Sequence, residues 1–185
     1  MTEHSLDISA NRDRREYSRN LMVKRVLWGL CQPLFRLSPR PMFEFRSWFL
    51  RLFGAQIGKN VHIYSSAIIY MPGNLVVGDW SAIGEWTLIY NLDEIVIGNK
   101  TTVSQRAHLC AGTHDFEQPD LPLIRKRIVV GDQAWVCADT FIGPGVNIGD
   151  GAVVGARAVV VKNVEPWAVV AGNPARKLRQ RILKN

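Results

Sequence analysis

The 185 residues carry a formal net charge of +7, and 47% of them are hydrophobic, values that fit one globular domain with extensions and exclude a chain disordered throughout. The charge is uneven: residues 1–56 hold ten basic and five acidic groups, residues 57–165 eight and eleven, and residues 166–185 five basic and none acidic. A nucleic-acid binder needs a basic stripe on its folded body, and this body is slightly acidic, which argues against DNA or RNA as a partner.

In chain order, residues 1–19 lack periodicity and are rich in Arg, Asp and Glu, so a mobile arm is expected, with His4 in it. No run of 18 apolar residues and no signal-type leader occurs, and a cytoplasmic protein is expected. Cys31, Cys110 and Cys137 are odd in number, widely spaced and form no CxxC, which reads as reduced thiols. Val23, Val26, Leu27, Leu30 and Leu34 follow helical spacing, and Pro33 is expected to end that helix near Cys31. Phe45, Trp48, Phe49, Leu52 and Phe53 signal a second helix that Gly54 should stop. Bordered by Lys24, Arg25, Arg36, Arg40, Arg46 and Arg51, these apolar faces have two readings, a cap on whatever core follows or a membrane surface.

From Ile57 a six-residue step begins, as Ile57, Ile63, Ile69, then Val77, Ile83, Ile89, then Ile97, Val103, Leu109 after slips of two residues. It is strictest at Val130, Val136, Ile142, Ile148, Val154 and Val160, with a second column of small or slender residues at Ala134, Thr140, Val146, Ala152, Ala158 and Val164. Strand residues two apart share a face, so each unit provides a short strand and a corner, and Gly131, Gly143, Gly149 and Gly155 stand where the corner begins. Repeats of this kind predict a parallel β-helix with coils about 4.8 Å apart. The expected organisation is an arm and amphipathic helices over 1–56, five three-sided coils over 57–165 with a loop at 115–127, and a C-terminal extension with a short helix over 166–185. The slips should lie on one edge, and a loop leaving a solenoid at a corner is a functional candidate. His114 stands at the root of that loop between Thr113 and Asp115, and it is the candidate catalytic residue.

Gly112-Thr113-His114-Asp115-Phe116, Ala134-Trp135-Val136, Gly143-Pro144-Gly145-Val146 and Val170-Ala171-Gly172-Asn173-Pro174-Ala175-Arg176 resemble the hexapeptide-repeat acetyltransferases. Phe35-Arg36-Leu37-Ser38-Pro39-Arg40-Pro41 and Leu52-Phe53-Gly54-Ala55 extend the resemblance to the colanic acid biosynthesis acetyltransferases of bacterial exopolysaccharide pathways. The resemblance implies an all-β solenoid that is left-handed, against the usual right-handed crossover. It further implies a homotrimer with its active site between subunits, and transfer of acetyl from acetyl-CoA to a sugar hydroxyl without a metal. His114 matches the family's general base, Trp135 the residue beside the imidazole, and the Ala138 amide the oxyanion donor. Ala138 and Ala156 match backbone contacts to CoA, Lys162 a phosphate-contacting lysine, and Arg176 and Arg179 cations near the 3′-phosphate. The acceptor side departs from small-sugar enzymes: Gly84 stands where they place an asparagine, leaving Glu85, Asn91, Asp93 and Asp115 as candidates. Arg157 and Val161 likewise depart from the family's commoner residues beside the CoA groove.

Exopolysaccharide units are built on lipid carriers in this family, so a lipid-linked acceptor and peripheral contact with the inner membrane are further expectations. Two other classes compete. A γ-carbonic-anhydrase-like zinc enzyme would draw on His62, His108 and His114, whose spacing is poor. A bare structural solenoid leaves His114 and the loop without a reason.

Overall fold

The computed structural model describes residues 5–14 and 17–184, so His4 lies outside the described residues. Three parallel sheets wind into a three-sided prism. The first face stacks Gln56–Ile57, Leu75–Val77, Ile95–Ile97, Ile128–Val130 and Asn147–Ile148. The second stacks His62–Ile63, Ala82–Ile83, Thr102–Val103, Trp135–Val136, Val153–Val154 and Ala168–Ala171, and the third Ile68–Ile69, Leu88–Tyr90, His108–Cys110, Phe141–Ile142 and Val159–Val160. Five coils are therefore complete, and a sixth is begun by Val164, which bridges to Ile148, and by Ala168–Ala171. The sequence count of five stops one partial coil short, because the six-residue step lapses at Pro166.

Both predicted columns point inward. Val130, Val136, Ile142, Ile148, Val154 and Val160 are at most 2% exposed, and Ala134, Thr140, Val146, Ala152, Ala158 and Val164 are buried between them. Each aliphatic so covered contributes about 1.5–3 kcal/mol of transfer free energy. At the corner from the first to the second face, the glycine is needed for close approach rather than for its φ. A Cβ on Gly131 would stand 2.8 Å from the Asp150 amide nitrogen of the next coil. The left-handed conformation falls instead two residues later, at Asn60, Trp80, Lys100 and Gln133. The carboxamides and carboxylates between accept from the preceding coil: Lys59 N donates to Asp79 Oδ1 (2.7 Å), Asp79 N to Asn99 Oδ1 (2.9 Å), Asn99 N to Asp132 Oδ1 (2.7 Å) and Asp132 N to Asp150 Oδ1 (2.8 Å).

The slips and the loop do share one edge, the corner from the third face to the first. It holds the 3-10 turn Pro72–Asn74, the turn at 91–94 and a hairpin whose strands Gly112–His114 and Leu123–Arg125 pair antiparallel.

Three helices precede the coils: α1 (Ile8–Asp13), α2 (Arg19–Leu37) and α3 (Phe43–Leu52). Three sequence expectations are corrected here. The stretch expected to be a mobile arm contains α1, whose Asp7 cap accepts from Ala10 N (3.0 Å) and which docks on the hairpin loop. Helix α2 runs past Pro33 to Leu37. Only the bond from residue 33 to the Gly29 carbonyl is lost, while Trp28 and Phe35, buried on either side of the proline, hold the helix to the solenoid and outweigh that local cost. Arg46 does not border a lipid face. It is fully buried, and its guanidinium donates to Ile63 O (2.6 Å), Ser38 Oγ (3.0 Å), Pro39 O (2.9 Å) and Arg40 O (2.7 Å), clasping α3 and the α2–α3 turn to the first coil. Burial lowers its pKa.

A fourth correction concerns the C-terminus, which has a strand, Arg176–Gln180, in place of the expected short helix. Every residue of that strand is exposed, so a helix would have no apolar stripe to bury. Antiparallel pairing with Ala168–Ala171 satisfies its backbone instead, and its Arg and Lys side chains give the sheet a charged edge.

Candidate active site

His114 ends the first hairpin strand and is exposed, beyond the packed interior of the coils. Its Nδ1 lies 2.6 Å from the Leu121 carbonyl oxygen. A carbonyl can only accept, so Nδ1 carries a proton, and in the neutral ring the lone pair is then on Nε2. The neighbouring Asp115 caps its own loop, accepting at Oδ1 from Glu117 N (3.1 Å) and at Oδ2 from Gln118 Nε2 (2.9 Å).

Trp135 lies half-exposed on the second face, one coil beyond the hairpin's root, its Nε1 donating to Ser104 Oγ (2.9 Å). Ala138 follows at the corner between the second and third faces. That corner is held by Asp139, which takes Arg106 Nε on Oδ1 (2.6 Å) and Nη2 on Oδ2 (2.9 Å), and the Arg106 guanidinium keeps the Asp139 carboxyl below its usual pKa. Ala156 stands on the same edge one coil on, where Arg157 N donates to Ala138 O (2.9 Å). Burial raises the pKa of the intervening Cys137 thiol, keeping it protonated and inert.

The predicted cations are divided. Lys162 and Arg176 line one groove of about 390 Å³ with Val161, Ala175 and Lys177, at the end of the coils. Arg179 does not line it and sits on the edge strand opposite Val169. Lys177, absent from the sequence reading, stands on the rim and binds Glu165 Oε2 at 2.5 Å. No spacing signal marks it, because its place follows from the strand that replaced the expected helix. The groove offers cations beside apolar walls, an arrangement suited to a ligand with charged phosphates and an extended uncharged arm.

Among the acceptor candidates, Glu85 is exposed on the same edge as Ala138, and Asp93 is half-buried on the hairpin's edge, accepting from Glu94 N (2.7 Å). Asn91 is corrected. It is fully buried, with Oδ1 accepting from Met71 N (2.9 Å) and Nδ2 donating to Met71 O (2.5 Å), so it braces a corner and offers no face to a saccharide. The three histidines of the zinc alternative are dispersed. His62 stacks on Phe43 on the second face, His108 meets Phe141 edge-on on the third, and His114 stands on the hairpin. Burial lowers the His108 pKa and keeps that ring neutral.

Within one chain, then, His114 and Lys162 occupy the edge between the third and first faces, whereas Ala138 and Ala156 occupy the edge between the second and third. A whole face of the prism separates the two sets.

No protein-family model matches the chain. It is 40% identical over 163 residues to a protein named as the colanic acid biosynthesis acetyltransferase WcaF of Escherichia coli K12, covering 88% of this chain and 90% of that one. Among solved structures, a hexapeptide-repeat acetyltransferase of Vibrio cholerae complexed with acetyl-CoA superposes with a TM-score of 0.83 at 23% identity, covering 90% of this chain and 91% of that one. A galactoside acetyltransferase in complex with CoA superposes with a TM-score of 0.82 at 22% identity, covering 94% and 88%. The solenoid is thus the left-handed β-helix of the hexapeptide-repeat enzymes, and the chain belongs to the family of the colanic acid biosynthesis acetyltransferases.

Proposed function

We propose that this enzyme moves acetyl from acetyl-CoA to a hydroxyl of a saccharide acceptor, an exopolysaccharide repeat unit of the colanic-acid kind, with His114 as general base. The observation that carries the reading is the bond from His114 Nδ1 to Leu121 O, which leaves Nε2 free to take a proton. An alcohol is a weak nucleophile near neutral pH, so its proton must pass to Nε2 as its oxygen attacks the thioester carbonyl. The Ala138 amide is the donor for the resulting oxyanion, and collapse of the tetrahedral intermediate expels CoA thiolate, which takes the proton from the imidazolium. Lys162 and Arg176 address the donor's phosphates, and Glu85, Asp93 and Asp115 remain the candidates for the acceptor.

The separation of His114 from Ala138 by a full face supports a site shared between copies. The edge carrying His114 on one copy then meets the edge carrying Ala138 and Ala156 on the next. Such a contact joins unlike surfaces and closes when three copies complete the ring, a homotrimer. His114→Ala should lower transfer by about 100- to 10,000-fold with CoA affinity retained. Near-normal turnover sinks the base assignment.

The reading extends to a peripheral place on the inner face of the membrane, where a lipid-linked acceptor is reached from the cytoplasmic side. No described helix is long and apolar enough to cross a membrane. Helix α2, however, is apolar on two faces. Trp28 and Phe35 cap the solenoid, while Val23, Leu27, Leu30, Leu34 and Leu37 form an opposite stripe that is 49–82% exposed. The buried pair serves the capping reading, and the exposed stripe is what the membrane reading would draw on. Lys24, Arg36 and Arg40 are exposed nearby, and each basic group adds about 1 kcal/mol of attraction near an anionic leaflet. The intact protein should sediment with phosphatidylglycerol vesicles in low salt and be released in high salt, and Leu30→Glu with Leu34→Glu should abolish binding without unfolding the cap. Intact protein left in the supernatant refutes membrane contact.

A further inference from the structure

We propose that Asn11, in the N-terminal helix α1, is a positioning residue for the catalytic imidazole. The inference rests on the reading of His114 as general base. Asn11 Nδ2 donates to the Leu121 carbonyl oxygen at 2.8 Å, the same oxygen that receives His114 Nδ1 at 2.6 Å. One acceptor with two lone pairs therefore joins a residue near the chain's start to the base more than one hundred positions later.

The contact is part of a clamp on three successive residues. Asp7 N donates to Pro119 O (2.8 Å), Asn11 Nδ2 also donates to Asp120 O (2.8 Å), and Arg14 pairs with the Asp120 carboxylate. The loop needs such a clamp. Leu121 has a φ of +44°, in the left-handed region that side chains with a Cβ rarely adopt, and its own amide is held by a single bond to Gln118 O (3.1 Å). A carbonyl on a residue held against its conformational preference is aimed by what surrounds it. Here α1 does the aiming. Within one chain His114 is exposed, and the Leu121 oxygen is the hydrogen-bond partner that the chain itself supplies to set its tautomer.

Without the Asn11 amide, the Leu121 carbonyl loses one of its two donors and is aimed less firmly, and the imidazole can more often adopt the tautomer with its proton on Nε2, which cannot serve as base at that nitrogen. Small misplacement of a catalytic group is enough to cost an order of magnitude or more in rate. Asn11→Ala should therefore lower kcat about tenfold and leave the KM for acetyl-CoA unchanged, and Asn11→Asp, which has an acceptor where the amide donated, should be at least as impaired. In nitrogen-15 spectra of the ring, the His114 signal should shift away from the pure Nδ1–H tautomer in Asn11→Ala, a change that a merely structural role does not produce.

The decisive measurement pairs these variants with His114→Ala. If His114→Ala falls to the expected residual rate and Asn11→Ala lowers that residual rate no further, the two residues act through one path, as proposed. If His114→Ala is inactive while Asn11→Ala retains the wild-type kcat and ring signal, the clamp is overturned and the base assignment stands. If His114→Ala itself turns over normally, the base assignment falls, and this inference falls with it.

Discussion

Two edges of the same prism were built to opposite plans. The edge between the first and second faces repeats one corner coil after coil, with glycine, a middle residue that is Asp or Asn in every corner after Lys59, and a left-handed residue in series, the Asp and Asn side chains accepting from the coil below. The edge between the third and first faces changes from coil to coil: a 3-10 turn, a turn braced by Asn91, the hairpin, the corner at 143–146 with Gly145, and then the groove at Lys162. A regular corner leaves no room for a ligand, because each atom of it already meets the next coil. An irregular corner costs stacking, and in exchange it projects side chains beyond the prism. The comparison separates the edge that holds the coils together from the edge on which the candidate residues His114 and Lys162 stand, and it can be broken by substitutions on either edge.

The largest effect on stability is expected on the regular edge. A methyl group at Gly131 would lie 2.3 Å from Asp150 Oδ1 and 2.8 Å from its backbone nitrogen. The backbone of the following coil cannot yield without shifting its own ladder, so Gly131→Ala should cost about 3 kcal/mol in denaturant unfolding. On the irregular edge, a methyl group at Gly145 meets only the flexible Lys126 side chain, at 3.2 Å. There the φ of +78° sets the cost, about 1 kcal/mol for Gly145→Ala. Equal losses at the two positions would show that the edges do not differ in this way.

The same contrast explains what could be read in the sequence. The regular parts were legible since burial and the two-residue alternation of a strand write themselves into the residue types, as in the column from Val130 to Val160. The edge shared by the slips and the loop was legible too, because an insertion has a position even when its shape is unknown. His114 could be singled out from its place at the loop's root and from the resemblance. Contacts between distant segments were not legible. Asn11 sits in a polar stretch without periodicity, and its partner is a backbone carbonyl, which no residue type advertises. Asn91 and Arg46 look like surface groups, and only the backbone acceptors brought to them by folding make them interior struts. The basic residues of the C-terminal segment have fair helix propensity, but the open sheet edge beside it offers more hydrogen bonds than an isolated helix would.

Lys162 gives the smallest effect and the finest division between the edges. It lies two coils beyond the corner from which the hairpin leaves, roughly 10 Å along the axis at the ordinary strand spacing. It is exposed, and it lines the groove with Arg176. Among the described residues no hydrogen bond or ion pair uses its ammonium group, so Lys162→Ala should leave the unfolding midpoint unchanged. Its effect should appear only in binding. An ammonium beside a phosphate forms a charge-assisted hydrogen bond, and in a solvated groove its loss should weaken CoA by about tenfold. Dephospho-CoA, which lacks the 3′-phosphate, already forgoes that contact and should bind the variant and the parent alike. Calorimetric titration of both ligands into both proteins reads the difference directly, and it should shrink as salt is raised. Equal losses for CoA and dephospho-CoA would move the lysine's contact to the pyrophosphate. No loss for either would remove Lys162 from the donor site and leave the groove's cations without a ligand.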